Sequence, residues 1–160
     1  MTIPIVGSWL DAVRRNHALE HATATVLMSR LGPRRMAGRA AGNGFFLFGD
    51  VTREEIEDGA REALARLQAG ESTLAVSPYC GTNIAVAGLL AAGAASLSLS
   101  RGRDGFGNAF LGAMAGIVLS QPLGRLLQRH VTTRADLEHV ELAGADTYFG
   151  ALHRIRTRAS

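Results

Sequence analysis

Two runs of the chain contain no charged residue: Ser72 through Ser100, and Gly105 through Gly124. Each approaches or exceeds the roughly 20 apolar residues that cross a bilayer core. Only 19% of the 160 residues are charged and 47% are apolar, with a mean hydropathy of +0.10. A globule of this size has too little interior to surround two such helices on all sides. The runs, ending in "AVAGLLAAGAASLSLS" and "AGIVLSQPLGRLL" and joined by the turn "RGRDG", therefore predict a transmembrane helical hairpin over 82–128. A buried hairpin in a soluble protein is the alternative. Gly112 and Gly116 form a small-xxx-small pair, Gly88 and Ala92 a looser one, and both suit close helix contact. Pro122 is expected to kink the second span near its end.

All 17 basic residues are arginines, and the net charge of +3 is too small to imply nucleic-acid binding. The arginines gather in "VRRNH", "LGPRRMAGR" and "HRIRTR", a distribution suited to an anionic membrane surface, though an ordinary solvated face gives the same pattern. Arginines outside the hairpin outnumber the two in its turn, which predicts cytoplasmic termini in a bacterial inner membrane. The first residues lack the basic region and cleavage pattern of a removable signal peptide. A single cysteine, Cys80, excludes an internal disulfide framework and the four-cysteine zinc sites. The expected partners are the lipid bilayer and, through the glycine-rich helix faces, a larger membrane complex or a second copy of the chain; no nucleic acid is expected.

Length predicts a single domain over 1–160. Its first element is an amphipathic helix over 8–31, with Ser8 as N-cap and Gly32-Pro33 as the stop. At 100° per residue, Trp9, Leu10, Val13, Ala24, Leu27, Met28 and Leu31 form one apolar stripe. "GFFLFGDV" reads as a buried strand, Thr52 and Glu55 form a capping box for a helix to about Ala69, and "STLAVS" reads as a second strand. This strand-helix-strand unit, 44–78, predicts a right-handed crossover in a small mixed sheet. Residues 136–158 read as two further strands around a Gly-Ala-Asp turn. The fold class expected is thus an α+β membrane protein.

The first helix carries the chemistry. "HALEH" places His17 and His21 one turn apart with Glu20 beside them, all within the apolar stripe. Burying two imidazoles and a carboxylate is costly unless they are paired, hydrogen-bonded or metal-bound. H-x-x-E-H is the inverted-zincin pattern: two histidines hold zinc while the intervening Glu20 acts as general base on a metal-bound water. A third ligand is required, and by residue type Cys80, His130, Glu138, His139 and Glu141 qualify. Glu138 follows from the peptidase analogy. Cys80 precedes "GTN", where Thr82 or Asn83 would cap the first membrane helix, and a helix N-terminus favours the thiolate that metals prefer. Two plainer readings stand beside this one: a trio hydrogen-bonded only to itself and to nearby carbonyls, and Cys80 as a small buried hydrophobe or a thiol nucleophile. His130 suits a helix-dipole contact, and His153, in an arginine-rich tail, reads as surface.

"RNHALEHATATVL", "FFLFGDV" and "CGTN" before an apolar hairpin together resemble an uncharacterised family of small bacterial membrane proteins, a domain of unknown function. The resemblance extends to about residue 125. It implies a shared architecture and a common importance for His17, Glu20, His21 and Cys80, and brings no activity. The functional expectation is a membrane-anchored metalloprotein, a zinc-dependent hydrolase of peptidase type. A non-catalytic accessory subunit of a membrane complex is the rival.

Overall fold

A computed structural model describes residues 4–99 and 105–159. The chain separates into two compact units, one formed by 1–77 and 129–160, the other by 78–128.

The first unit is α+β. Helix α1 spans Pro4–Leu31, and a hairpin of β1 (Met36–Ala41) and β2 (Gly44–Gly49) follows. Helix α2 (Arg53–Gln68) leads into a short 3-10 turn, Ser72–Ala75. After the second unit the chain returns to build β3 (Val140–Tyr148) and β4 (Leu152–Ala159). The four strands form one sheet in the order β1-β2-β4-β3, and every pairing is antiparallel.

The mixed sheet with a crossover helix is therefore corrected. "STLAVS" is not a strand: Leu74 and Val76 donate their N–H groups to Glu71 and Thr73, closing a local turn that buries Leu74 and Ala75. The missing strand is β1, in the connection after α1, where "MAGRAA" lacks the β-branched and aromatic residues that announce a strand. The Gly-Ala-Asp turn is also corrected, because Gly144 sits at a register irregularity inside β3. A bulge absorbs the glycine, and the chain reverses later, at Phe149-Gly150.

Helix ends follow local chemistry. Thr52 Oγ1 accepts from the Glu55 N–H at 3.1 Å, while the Glu55 carboxylate accepts from the Thr52 N–H at 2.7 Å, completing the capping box. Gly32 takes φ +81° beyond α1, a left-handed conformation that a side chain resists. At its other end α1 starts at Pro4, so Ser8 lies inside the helix and does not cap it. Proline suits a first helical turn because its missing N–H is not needed there.

The core joins one face of the sheet to α1 and α2 through Leu19, Val26, Leu27, Phe45, Leu47, Ile56 and Ile155, all at 1% exposure or less. Along α1 the burial is not a stripe. Ala18 through Thr23 are buried without a break, as are Asn16, Val26 and Leu27, while Trp9 and Leu10 at the expected stripe's start are exposed. The helix is flanked by β1, β2, α2 and the 3-10 turn, so its middle is surrounded.

The second unit is a hairpin of α3 (Gly81–Leu99) and α4 (Gly105–Leu127), continued by a π-helical turn, Gln128–Thr132, that reaches into the first unit. The turn expected at "RGRDG" falls almost wholly on 100–104, outside the described residues. Both helices are long and apolar enough to cross a membrane. Their burial is inverted relative to a soluble core: Asn83 is the one buried residue in α3, and those of α4 are Gly105, Ala109, Gly116, Ser120 and Gly124. Ile84, Leu89, Phe106, Phe110, Leu111 and Val118 are exposed. α4 meets α3 through a small-residue seam, where a Cβ on Gly116 would lie 2.9 Å from the Leu90 carbonyl carbon and one on Gly112 3.2 Å from Ala94 Cβ. Ser120 and Gly124 extend it at four-residue spacing. Pro122 remains inside α4.

Candidate metal centre

Helical spacing brings the two imidazoles of α1 together: the His17 and His21 rings lie 4.4 Å apart, centroid to centroid, edge to face. Each ring is anchored by Nδ1. His17 Nδ1 donates to the Thr132 carbonyl and His21 Nδ1 to the Ala75 carbonyl, both at 2.9 Å. A carbonyl only accepts, so Nδ1 carries a proton; in the neutral ring this leaves the lone pair on Nε2, the tautomer that binds metals through Nε2. A backbone carbonyl holding the remote ring nitrogen is the usual outer-shell arrangement of a ligating histidine.

Both carbonyls belong to the chain's passages into and out of the hairpin. Ala75 closes the 3-10 turn shortly before the chain leaves the first unit, and Thr132 follows shortly after its return. The return segment is bound to α1 by two ion pairs, Arg134 to Asp11 at 2.6 Å and Arg15 to Asp136 at 3.2 Å, and Arg134 and Asp136 also meet each other at 2.9 Å. The Arg134 N–H adds a bond to the Arg14 carbonyl, and an Arg14 guanidinium nitrogen donates to the His130 carbonyl. Partial burial works to raise the Asp136 carboxyl, but hydrogen bonds from Arg15 and Arg134 outweigh it and hold the group below its ordinary range. The same contacts from Asp11 and Asp136 raise Arg134.

Glu20 is 7% exposed and lies over β1, where its side chain fills the space a Cβ on Gly38 would take. Asn16, one turn earlier, donates to the Ala41 carbonyl at 2.7 Å and accepts from the Thr157 hydroxyl. One side of α1 thus holds polar contacts to the sheet, while the two imidazoles hold the connecting segments.

Cys80 is 6% exposed and immediately precedes α3. Its Sγ accepts from the Thr82 N–H at 3.4 Å and its carbonyl from the Asn83 N–H at 2.9 Å, so Cys80 itself takes the capping place expected of Thr82 or Asn83. Asn83 instead donates to the Pro78 carbonyl and accepts from Gln128 at 3.0 Å.

Within the first unit, helix α1 brings two metal-capable side chains together, His17 and His21, while Cys80 belongs to the second unit. Glu138 and His139 are exposed in the turn before β3 and stand outside that pair. Glu138 lines a surface cleft with Glu57, Arg61 and Gln68. Glu141 pairs with Arg158 at 3.1 Å, and the His130 side chain is exposed. His153 corrects the surface expectation: at 1% exposure it points to the sheet's helix-covered face, its Nδ1 3.0 Å from the Thr147 hydroxyl. Strand alternation, with Ile155 two residues on, was the signal for that burial.

An α+β unit carrying a paired-histidine helix, joined to a hairpin of two helices long enough to span a membrane, defines the class. Residues 12–145 match the domain of unknown function DUF6391, and the chain belongs to that family. It is also 36% identical over 142 residues to an uncharacterized protein of Picosynechococcus sp. strain PCC 7002, an alignment covering 78% of this chain and 67% of the relative. No solved structure matches.

Proposed function

We propose that this is a membrane-anchored metalloprotein in which His17, His21 and Cys80 hold a zinc ion. The supporting observation is the pair of adjacent imidazoles, each with Nδ1 committed to a backbone carbonyl. Two imidazole nitrogens and a thiolate form a borderline-soft donor set suited to zinc. Cys80 lies shortly after Ala75 in the chain, whose carbonyl holds His21, and on this reading it supplies the third donor.

Three protein ligands leave a fourth position for water, the coordination of a hydrolytic zinc site. When bound, zinc would supply an activated water and a Lewis acid. On this reading the chain's own work is to hold both Nε2 atoms in place through Thr132 and Ala75, and to keep a carboxylate, Glu20, on the same helix as proton acceptor. Peptide-type substrates follow from the H-x-x-E-H analogy. Both termini lie on the cytoplasmic side of a bacterial inner membrane.

Metal analysis of the detergent-purified protein tests the proposal. The expected result is one zinc per chain, lost in the His17→Ala/His21→Ala double variant and reduced in Cys80→Ala. Metal-free protein of native stability, or zinc unaffected by the double substitution, overturns it. One observation favours the accessory-subunit reading: Gly88 meets nothing within 4 Å and Ala92 is exposed, leaving a small-residue face on α3 for another helix. Native purification yielding a stoichiometric partner with metal-free protein would select it.

A further inference from the structure

The sheet covers its core on one face only. Phe45, Leu47, Ala145 and Ile155 point toward the helices and are at 1% exposure or less. The opposite face carries half-buried and exposed side chains that α1 and α2 do not cover, and strand register sorts it into rows. One row reads Ala37, Phe48, Leu152, Tyr148 across the four strands; the next reads Arg39, Phe46, Arg154, Asp146. Arg156 follows, opposite Gly44 and Gly144. The face is therefore graded, apolar and aromatic at the end nearest the β3–β4 turn and basic beyond it.

The turn adds an independent observation. Phe149 is 99% exposed and takes φ +50°, the one non-glycine residue with positive φ among those described. A bulky aromatic is disfavoured in that region, and this one stands at the tip of the β3–β4 turn with Gly150, which also takes positive φ. Phe48 and Tyr148 stand beside it at 58% and 41% exposure. On the basic side, Arg156 pairs with Asp146 at 3.1 Å, and Arg154 lies over the Phe46 ring at 5.3 Å. Arg39 and Arg154 have no ion pair among the described residues.

We propose that this open face docks onto an anionic lipid surface. Phe149, Tyr148 and Phe48 enter the acyl boundary, and Arg39, Arg154 and Arg156 contact headgroup phosphates. Aromatic rings partition to the interfacial layer and arginines to its phosphates, so a face graded this way matches the polarity gradient of a leaflet. A single-stranded nucleic acid would call for rings interleaved with the charges, to stack bases beside phosphates; here Phe48, Tyr148 and Phe149 lie together at one end and only Phe46 sits among the arginines. The proposal rests on the reading of α3 and α4 as membrane-spanning, which keeps the sheet unit tethered to a bilayer.

The test uses the full chain in lipid nanodiscs. Trp9 is the only tryptophan, so Trp9→Phe clears the background, and Phe149→Trp, or Phe48→Trp as a second reporter, reads the face. Ile117→Trp, at an exposed position of α4, reads the hairpin. With anionic lipid, indole emission at 149 is expected to shift to the blue and to be quenched by brominated acyl chains. Zwitterionic discs, or substitution of Arg39, Arg154 and Arg156 by Gln, should return it to the solvated value. Quenching at 117 with solvated emission at 149 and 48 overturns the docking and leaves the hairpin reading intact. No quenching at any position overturns both, and quenching at 149 that ignores lipid charge and the arginine substitutions overturns the electrostatic half. Protection of 149 by a single-stranded oligonucleotide, without lipid quenching, assigns the face to nucleic acid.

Discussion

The two units of this chain solve opposite solvation problems with the same amino acids. In the α+β unit Phe45, Leu47 and Ile56 are fully buried and the arginines lie outside. In the hairpin the interior is glycine, Ser120, Asn83 and Gln128, and the phenylalanines and leucines lie outside. Water rewards the first arrangement through apolar burial. It would penalise the second, whereas lipid permits it, because tails are as apolar as leucine and helices associate through close backbone packing and buried polar contacts. The contrast is the one expected of a water-facing unit beside two helices long and apolar enough to cross a membrane.

The strongest way to break the comparison is truncation of one aromatic in each unit. Phe45→Ala should cost about 3–5 kcal/mol of stability, while Phe110→Ala, exposed on α4, should leave unfolding in detergent nearly unchanged; equal losses would mean that the hairpin is packed like a soluble core. Next comes charge on the exposed apolar side of α4. Ile117→Arg, near the middle of α4, should cost about 2.5–3.5 kcal/mol of insertion, measured as the fraction of chain extracted from membranes by alkaline wash.

The seam gives a smaller effect. A Cβ at Gly124 would collide with the Asn83 amide that Gln128 holds, so Gly124→Ala should lower stability by about 1–3 kcal/mol through overpacking. Gly107→Ala, facing open space, is the matched control. The smallest effect belongs to the water-facing ion pairs. Asp136 is held below its ordinary range, so its contribution is whole above the unfolded carboxyl's value and fades as pH falls through the lower folded one. Half-exposed as it is, Asp136→Asn should cost about 0.2–1 kcal/mol at neutral pH, and denaturant titrations of the two proteins should converge as pH drops into that range.

Legibility in the sequence followed the same division. The two apolar helices were visible because their length is free of charge, and α2 because Thr52 and Glu55 announce their capping box. β3 and β4 were visible as a pair, with the reversal misplaced to Gly144. β1 was hidden, since "MAGRAA" owes its extended form to pairing with β2, although the Gly42-Asn43 step before the aromatic run was a usable hairpin signal. α1 showed its length and its histidine spacing, but a single stripe could not describe a helix packed from several sides. The site was legible as far as local geometry reaches: His17 and His21 had to be neighbours on one helix face. Their carbonyl partners, Thr132 and Ala75, and the lodging of Glu20 over Gly38 depend on tertiary placement that no spacing encodes.

X-ray absorption at the zinc edge of the zinc-loaded, detergent-solubilised protein tests the metal centre most directly. The account predicts two imidazole nitrogens at about 2.0–2.1 Å and one sulfur at about 2.3 Å, the sulfur vanishing in Cys80→Ser. A shell of oxygen and nitrogen alone in the unaltered protein, or one that survives His17→Ala and His21→Ala unchanged, would contradict it.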